Sequence, residues 1–269
     1  MVLAMLCVGM FVSSGFGGIT FGNVDGAYGW TWVESEAATS SVPGATPWYA
    51  NGYSGWAGGN DSCMLFNGSG DATYDYTVPV AMTNAKMFVQ AVSQYNDDYR
   101  WNTIHLGDAT TPYIGWFNLY QPLKIYESVD LGSFAAGDVQ MTVHQGGYDS
   151  ARMDGFFLSN GPLVSSGVTL QDSTYRMTAP SFAGALPVID KAPFAPTISG
   201  GPMGATVWVN GIQIVDPAYL ISVPGDYNLV VKGAAGDILS GASFSYVPEP
   251  ASLSLLALSV LGLLRRRHS

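Results

Sequence analysis

The chain has 269 residues, with 20 Asp+Glu against 10 Lys+Arg and a formal net charge of −10. That balance argues against a nucleic-acid binder, which needs Lys and Arg to neutralise phosphates. Apolar residues make up 48% and charged ones only 11%, so the chain can bury a core and is not built like a disordered one.

Residues 1–12 are an almost unbroken apolar run, followed by the small residues Ser13, Ser14, Gly15, Gly17 and Gly18. This reads as a secretory signal over residues 1–22, although no basic residue precedes the run. The competing reading is a buried N-terminal strand or helix. If the signal is removed, Cys7 leaves with it. Cys63 then stands alone, an intrachain disulfide is excluded, and its apolar surroundings make it a buried small hydrophobe.

The body contains no convincing amphipathic helix. Short or alternating apolar runs recur at 30–35, 63–66, 72–80, 86–92, 102–106, 113–120, 123–130, 139–143 and 152–159, punctuated by Gly, Asn, Asp and Pro. The 33 Gly and 15 Pro of the chain suit such strands and turns. Regular spacing of this kind predicts an all-β sandwich over residues 24–160. Residues 161–187, rich in Pro, Ser, Ala and Gly, read as a linker. A second group of runs at 167–170, 175–178, 206–210, 211–215, 219–223, 226–232 and 242–246 follows, with a smaller sandwich expected over 188–247. Asn210-Gly211 between two β-branched triplets marks a two-residue hairpin turn, because both turn positions need positive φ. The chain ends in Pro248-Glu249-Pro250, a 14-residue apolar stretch over 251–264, and Arg265-Arg266-Arg267. As a helix that stretch spans about 21 Å, short of the roughly 30 Å of a bilayer core.

Three resemblances attach to these segments. The order Pro-Glu-Pro, apolar helix and Arg cluster over 247–269 resembles the bacterial PEP-CTERM sorting signal, carried here by Pro248, Glu249, Pro250, Arg265, Arg266 and Arg267. It implies export across the inner membrane of a Gram-negative-type envelope, a membrane-inserted transmembrane-helix intermediate, and a processing enzyme as partner. The final location it implies is the cell surface or extracellular matrix. Residues 24–160 resemble a galactose-binding-like β-sandwich (jelly roll) of the carbohydrate-binding-module type. The stretches that carry this are Trp32-Val33-Glu34-Ser35-Glu36, Ala72-Thr73-Tyr74-Asp75-Tyr76, Val129-Asp130-Leu131-Gly132 and Arg152-Met153-Asp154-Gly155-Phe156. Residues 188–247 resemble a bacterial immunoglobulin-like repeat, through Trp208-Val209-Asn210-Gly211 and Pro224-Gly225-Asp226-Tyr227-Asn228-Leu229.

Candidate sites follow. Side chains alternate along a strand, so Glu34 and Glu36 share a face, and Asp154 joins them if the closing strand lies beside the opening one. Three carboxylates with backbone carbonyls suit Ca²⁺, and the resemblance implies a structural calcium there. The same residues also fit as solvated edge carboxylates and a turn cap. The resemblance places sugar contacts at loop aromatics and at an Asn after the last strand, which are Tyr53, Trp56, Trp116 and Asn160. Pyranose rings stack on such aromatic faces, while in a sandwich Trp is more often core than contact. His105 and His144 have no Cys or His at metal-ligand spacing, and Gly52-Tyr53-Ser54-Gly55-Trp56 misses a nucleophile elbow at its last residue. Paired acids that converge only in space leave no such trace. The sequence thus reads as a non-catalytic polysaccharide-binding envelope or matrix protein, with a structural or adhesive surface protein as the rival and a glycoside hydrolase third.

Overall fold

The computed structural model describes residues 19–24, 26–42, 44–49, 62–93, 100–119, 123–146, 149–163, 168–171, 174–177, 180–182, 184–234, 236 and 238–248. The strands in chain order are β1 (Thr20–Gly22), β2 (Tyr28–Thr31), β3 (Val33–Glu34), β4 (Ser40–Ser41), β5 (Ala45–Tyr49), β6 (Ser62–Asn67) and β7 (Gly70–Val78). There follow β8 (Lys86–Ser93), β9 (Arg100–Leu106), β10 (Tyr113–Leu119), β11 (Lys124–Glu127), β12 (Gly137–Gln145) and β13 (Asp149–Ser159). The last are β14 (Val168–Gln171), β15 (Thr174–Met177), β16 (Val188–Ile189), β17 (Thr197–Ser199), β18 (Thr206–Val209), β19 (Ile212–Ile214), β20 (Gly225–Lys232) and β21 (Ile238–Tyr246).

Two sheets make the first sandwich. One has the order β10-β9-β12-β7-β4; the other has β11-β8-β13-β6-β5, with β3 also on β13. Strand β7 shows why a sandwich forms. Ala72, Tyr74, Tyr76 and Val78 are buried, while Asp71, Thr73, Asp75 and Thr77 point the other way, the period-two pattern of a sheet with one wet face. The facing residues Met64, Phe66, Met87, Val89, Met141, Val143, Met153, Phe156 and Leu158 complete the core. Strand β8 is buried almost throughout because it is covered on both sides: Met87, Val89 and Ala91 face the sandwich core, while Phe88 packs into a second cluster.

The third sheet has the order β16-β21-β20-β18-β19, with β2 also on β21, over a core that includes Phe194, Ile221, Leu229, Phe244 and Tyr246. Its β18–β19 hairpin turns at Asn210 and Gly211, whose φ values of 49° and 79° are the pair of left-handed residues that the Asn-Gly signal predicts.

Several boundaries differ from the sequence reading. Thr20–Gly22, placed inside the signal, pairs with β17, and Ile19 is buried, so these residues belong to the folded body. Tyr28–Thr31, placed in the first sandwich, pairs with β21 across Tyr28↔Ser243 to Thr31↔Ser240. Two residues later the chain has changed unit: Val33–Glu34 pairs with β13. Apolar Trp30 and Trp32 commit residues to burial without saying in which core. The segment 161–187 holds the β14–β15 hairpin. Residues 219–223 form no strand; Asp216 organises a turn there through its Oδ1 to the Ala218 amide at 2.8 Å, and only Ile221 bridges to Phe194. The apolar stretch 251–264, expected to be helical, lies outside the described residues, among which no helix is long and apolar enough to cross a membrane.

The two units share a core. Trp30, Trp32, Phe88, Ile125 and Phe157 form one buried cluster, with Leu163, Phe182 and Ile238 packed on it. Trp30 lies 5.4 Å from Phe157, which stacks on Phe88 at 5.1 Å. The indoles fit because they lie over glycines. A Cβ on Gly241 would come within 2.1 Å of Trp30, and one on Gly155 within 2.2 Å of Trp32.

Candidate functional site

The inward side chains of the β10-β9-β12-β7-β4 sheet fill the sandwich, and its other face carries the polar and aromatic residues. The cross-strand registers arrange them in rows. Trp116 stands opposite Thr103, Thr103 opposite His144 and His144 opposite Asp71. The next row is Tyr113, His105, Thr142, Thr73 and Ser40. At the other side of the Trp116 row, Asn118 stands opposite Trp101.

Trp101 and Trp116 stack at 4.4 Å between ring centroids with 27° between planes. Trp101 is 48% exposed, so one indole face stays open while its partner braces the other. Asn118 Oδ1, beside the rings, is buried and has no hydrogen-bond partner among the described residues. The rest of the face is tied together. His105 bonds Thr103 Oγ1 at 2.9 Å and the Thr111 carbonyl at 2.8 Å. His144 Nδ1 bonds Asp71, and Thr73 and Thr142 hydroxyls meet at 2.9 Å. The adjoining loop places Asp108, whose carboxyl is held below the usual range by the hydroxyl and amide of Thr110. Asp71, Asp75 and Asp138 lie on β7 and β12 and give the face an acidic cast. Chemically, this is a fixed surface with an open aromatic platform at Trp101, a second exposed ring at Tyr113, flanking donors and acceptors, and little freedom to lose on binding.

The sequence-predicted residues fare unevenly. Trp116 is on this face. Tyr53 and Trp56 lie outside the described residues. Asn160 follows β13, at the end where Ser159 pairs with Lys86. Trp116 and Trp101 lie near the opposite end, where Gln145 pairs with Asn102. The eleven residues of β13 separate the two ends by roughly 30 Å, so Asn160 and Trp116 do not share a site. Trp101 was missed because the run was read as starting at Asn102. The signal was there: Trp101, Thr103 and His105 alternate with the inward Asn102 and Ile104.

The closing strand does lie beside the opening one, with Gly155 opposite Glu34. The period-two argument fails, because Ser35–Ala37 is a 3-10 turn and Glu34 and Glu36 are not on one strand. Ser35 is what fixes the turn: its buried hydroxyl bonds the Asp154 carbonyl at 2.8 Å and receives the Met64 amide at 3.0 Å. Asp154 is fully buried, and oxygens of Glu34, Glu36 and Asp154 are withdrawn from solvent. Burial, followed by the charges of Asp154 and Glu36, pushes the neighbouring Cys63 thiol up to about 12, against the opposing charge of Arg152. Among the described residues, no three His, Cys, Asp or Glu side chains already form a group that could hold a metal ion.

Pro248 follows the last strand; Glu249, Pro250, Arg265, Arg266 and Arg267 lie outside the described residues. Residues 247–267 match the PEP-CTERM protein-sorting motif. The motif marks an exported protein that is sorted through a Gram-negative envelope by a dedicated processing system. No curated protein matches the chain. Among solved structures, the chain is similar to family 6 carbohydrate-binding modules, which have a galactose-binding-like β-sandwich fold. One is from Clostridium stercorarium in complex with cellobiose, at 13% identity over 47% of this chain and 90% of that one, TM-score 0.37. Another is the C-terminal module of a laminarinase from Zobellia galactanivorans, at 12% identity over 49% and 99%, TM-score 0.38. A third is a β-1,3-glucan-binding module from Bacillus halodurans, at 13% identity over 46% and 92%, TM-score 0.37.

Proposed function

We propose that this exported protein binds polysaccharide, without catalysis, on the outer face of the β10-β9-β12-β7-β4 sheet. The observation that carries the reading is the Trp101–Trp116 stack with its open indole face beside Asn118. A pyranose would lie on Trp101, and Thr103 and the His144–Asp71 pair would orient its hydroxyls. The test is affinity electrophoresis against a panel of polysaccharides. At least one glycan should retard the protein, and Trp101→Ala should weaken that retardation about tenfold, the ~1.5 kcal/mol scale of one aromatic contact. If no glycan retards it, or Trp101→Ala and Trp116→Ala change nothing, the sandwich is a structural or adhesive unit instead. Release of reducing sugar would overturn the non-catalytic part.

Calcium at Glu34, Glu36 and Asp154 belongs to this reading as a structural ion. What supports it is the β3–β13 pairing and the withdrawal of these carboxylates from water, since buried negative charge needs a counter-charge. Arg152 is the rival counter-charge, and an ion would have to draw the three side chains closer than they now stand. Chelation should lower the melting temperature and added Ca²⁺ restore it; an unchanged melt assigns the compensation to Arg152. The immunoglobulin-like reading of residues 188–247 and a final position at the cell surface or in an exopolysaccharide matrix complete the proposal. The C-terminal unit would serve as the strut between the sorting signal and the binding face.

A further inference from the structure

The end of the C-terminal sheet from which the chain leaves exposes aliphatic side chains. Val188, Val223 and Val247 are 62%, 65% and 48% exposed. They gather there because of the register. Val188 pairs with Ser245 and Gly225 with Tyr246, and the Val247 amide bonds the Ile189 carbonyl at 3.0 Å. Tyr227 pins the preceding loop through its hydroxyl to the Val223 carbonyl at 2.7 Å.

The covalent chain says what lies against this end. The apolar run begins at Ala251, four residues after Val247, so at most about 14 Å of chain separates the two. Pro248 and Pro250 restrict how that short tether can fold. As a helix, fourteen apolar residues with three Arg behind them would fall short of a bilayer core, and a short insert draws its flanking residues toward the headgroups. We infer that the Val188, Val223 and Val247 end of the C-terminal sheet rests on the bilayer surface while the tail is uncut, as a membrane-facing foot. Asp190 and Asp226 flank the patch, so the surface it fits is zwitterionic lipid rather than anionic lipid. This inference goes beyond glycan binding and does not rest on it.

The test uses the full chain in phosphatidylcholine/phosphatidylethanolamine vesicles, with Cys7→Ser throughout and the buried Cys63 left in place. An environment-sensitive fluorophore is attached at Val223→Cys, at Val188→Cys, or at Val215→Cys. Val215 is equally apolar and 83% exposed, but follows β19 at the far end of the same sheet, where Ile214 pairs with Val207. The expected result is blue-shifted emission, quenched by spin-labelled lipid, at 223 and 188, with 215 remaining in water. A label at 223 that stays in water overturns the inference. So does equal shielding of 223 and 215. Shielding that grows only with the protein-to-lipid ratio means that a second copy covers the patch, which also overturns it.

Discussion

Tyr74 sits at the centre of the sandwich with 0% exposure, and its hydroxyl has no hydrogen-bond partner among the described residues. A buried unpaired hydroxyl costs about 1–3 kcal/mol, so Tyr74→Phe should leave stability unchanged or raise it by about 1 kcal/mol in urea unfolding. A clear loss would mean the hydroxyl has a role in the folded state. Burial raises the Tyr74 and Tyr76 phenols above their ordinary value, as it does the Cys63 thiol. In each case the unfolded state gives up its proton first as pH rises. The stability these groups contribute is fully present below about pH 9 and is lost as pH climbs from there toward 12 and beyond. The melting temperature should therefore be flat through neutrality and fall above pH 9, and folded Cys63 should resist alkylation at pH 8 until urea exposes it. A melt that is flat to pH 11 would contradict this. At this scale the sequence reading was good where one residue type has one use. Cys63 as a buried hydrophobe follows from its apolar neighbours. It was poor where a residue serves two: Trp is both core and platform, and only the register separates Trp30 in the core from Trp101 on the face.

At the scale of elements, alternation located most strands, and the Asn210-Gly211 turn was legible because two consecutive positive φ angles leave few residue choices. Gly211→Val should cost about 1–2 kcal/mol in thermal or urea unfolding, because a β-branched residue is strained at φ 79°; equal stability would mean the hairpin tolerates another turn. What alternation does not encode is partner choice. The run 30–35 looks like one strand, yet β2 and β3 hydrogen-bond to different sheets, and the break falls at Trp32, whose amide bonds the Leu239 carbonyl at 2.7 Å. The Glu34-x-Glu36 spacing misled for a related reason: the hydroxyl of Ser35, reaching Asp154 and Met64, turns the backbone into a 3-10 turn. The resemblance groups Asn160 with the aromatics, but Asn160 follows β13 at one pole of the sandwich, while Trp116 lies within β10 near the other.

At the scale of the molecule, the two units behave as one. β2 forms an edge pair on β21, its continuation β3 does the same on β13, and the Trp30, Trp32, Phe88 and Phe157 cluster is divided between them. Tyr76 adds a further tie, with its hydroxyl receiving the Leu158 amide at 3.0 Å and the Thr31 amide at 3.2 Å. Melting either sheet would strip the other of a strand neighbour and of apolar cover. Calorimetry of the folded protein should therefore show one cooperative transition, with calorimetric and van't Hoff enthalpies equal, rather than the two expected of sandwiches joined by a linker. Trp30→Ala removes one of the two largest side chains of the shared cluster. It should cost about 3–5 kcal/mol and uncouple the units, so that the single peak broadens or splits. Gly241→Val attacks the same joint from the other side, by driving Trp30 off the sheet, at a cost of about 1–3 kcal/mol. Two resolved transitions already in the unaltered protein would show that the shared strand does not couple the units.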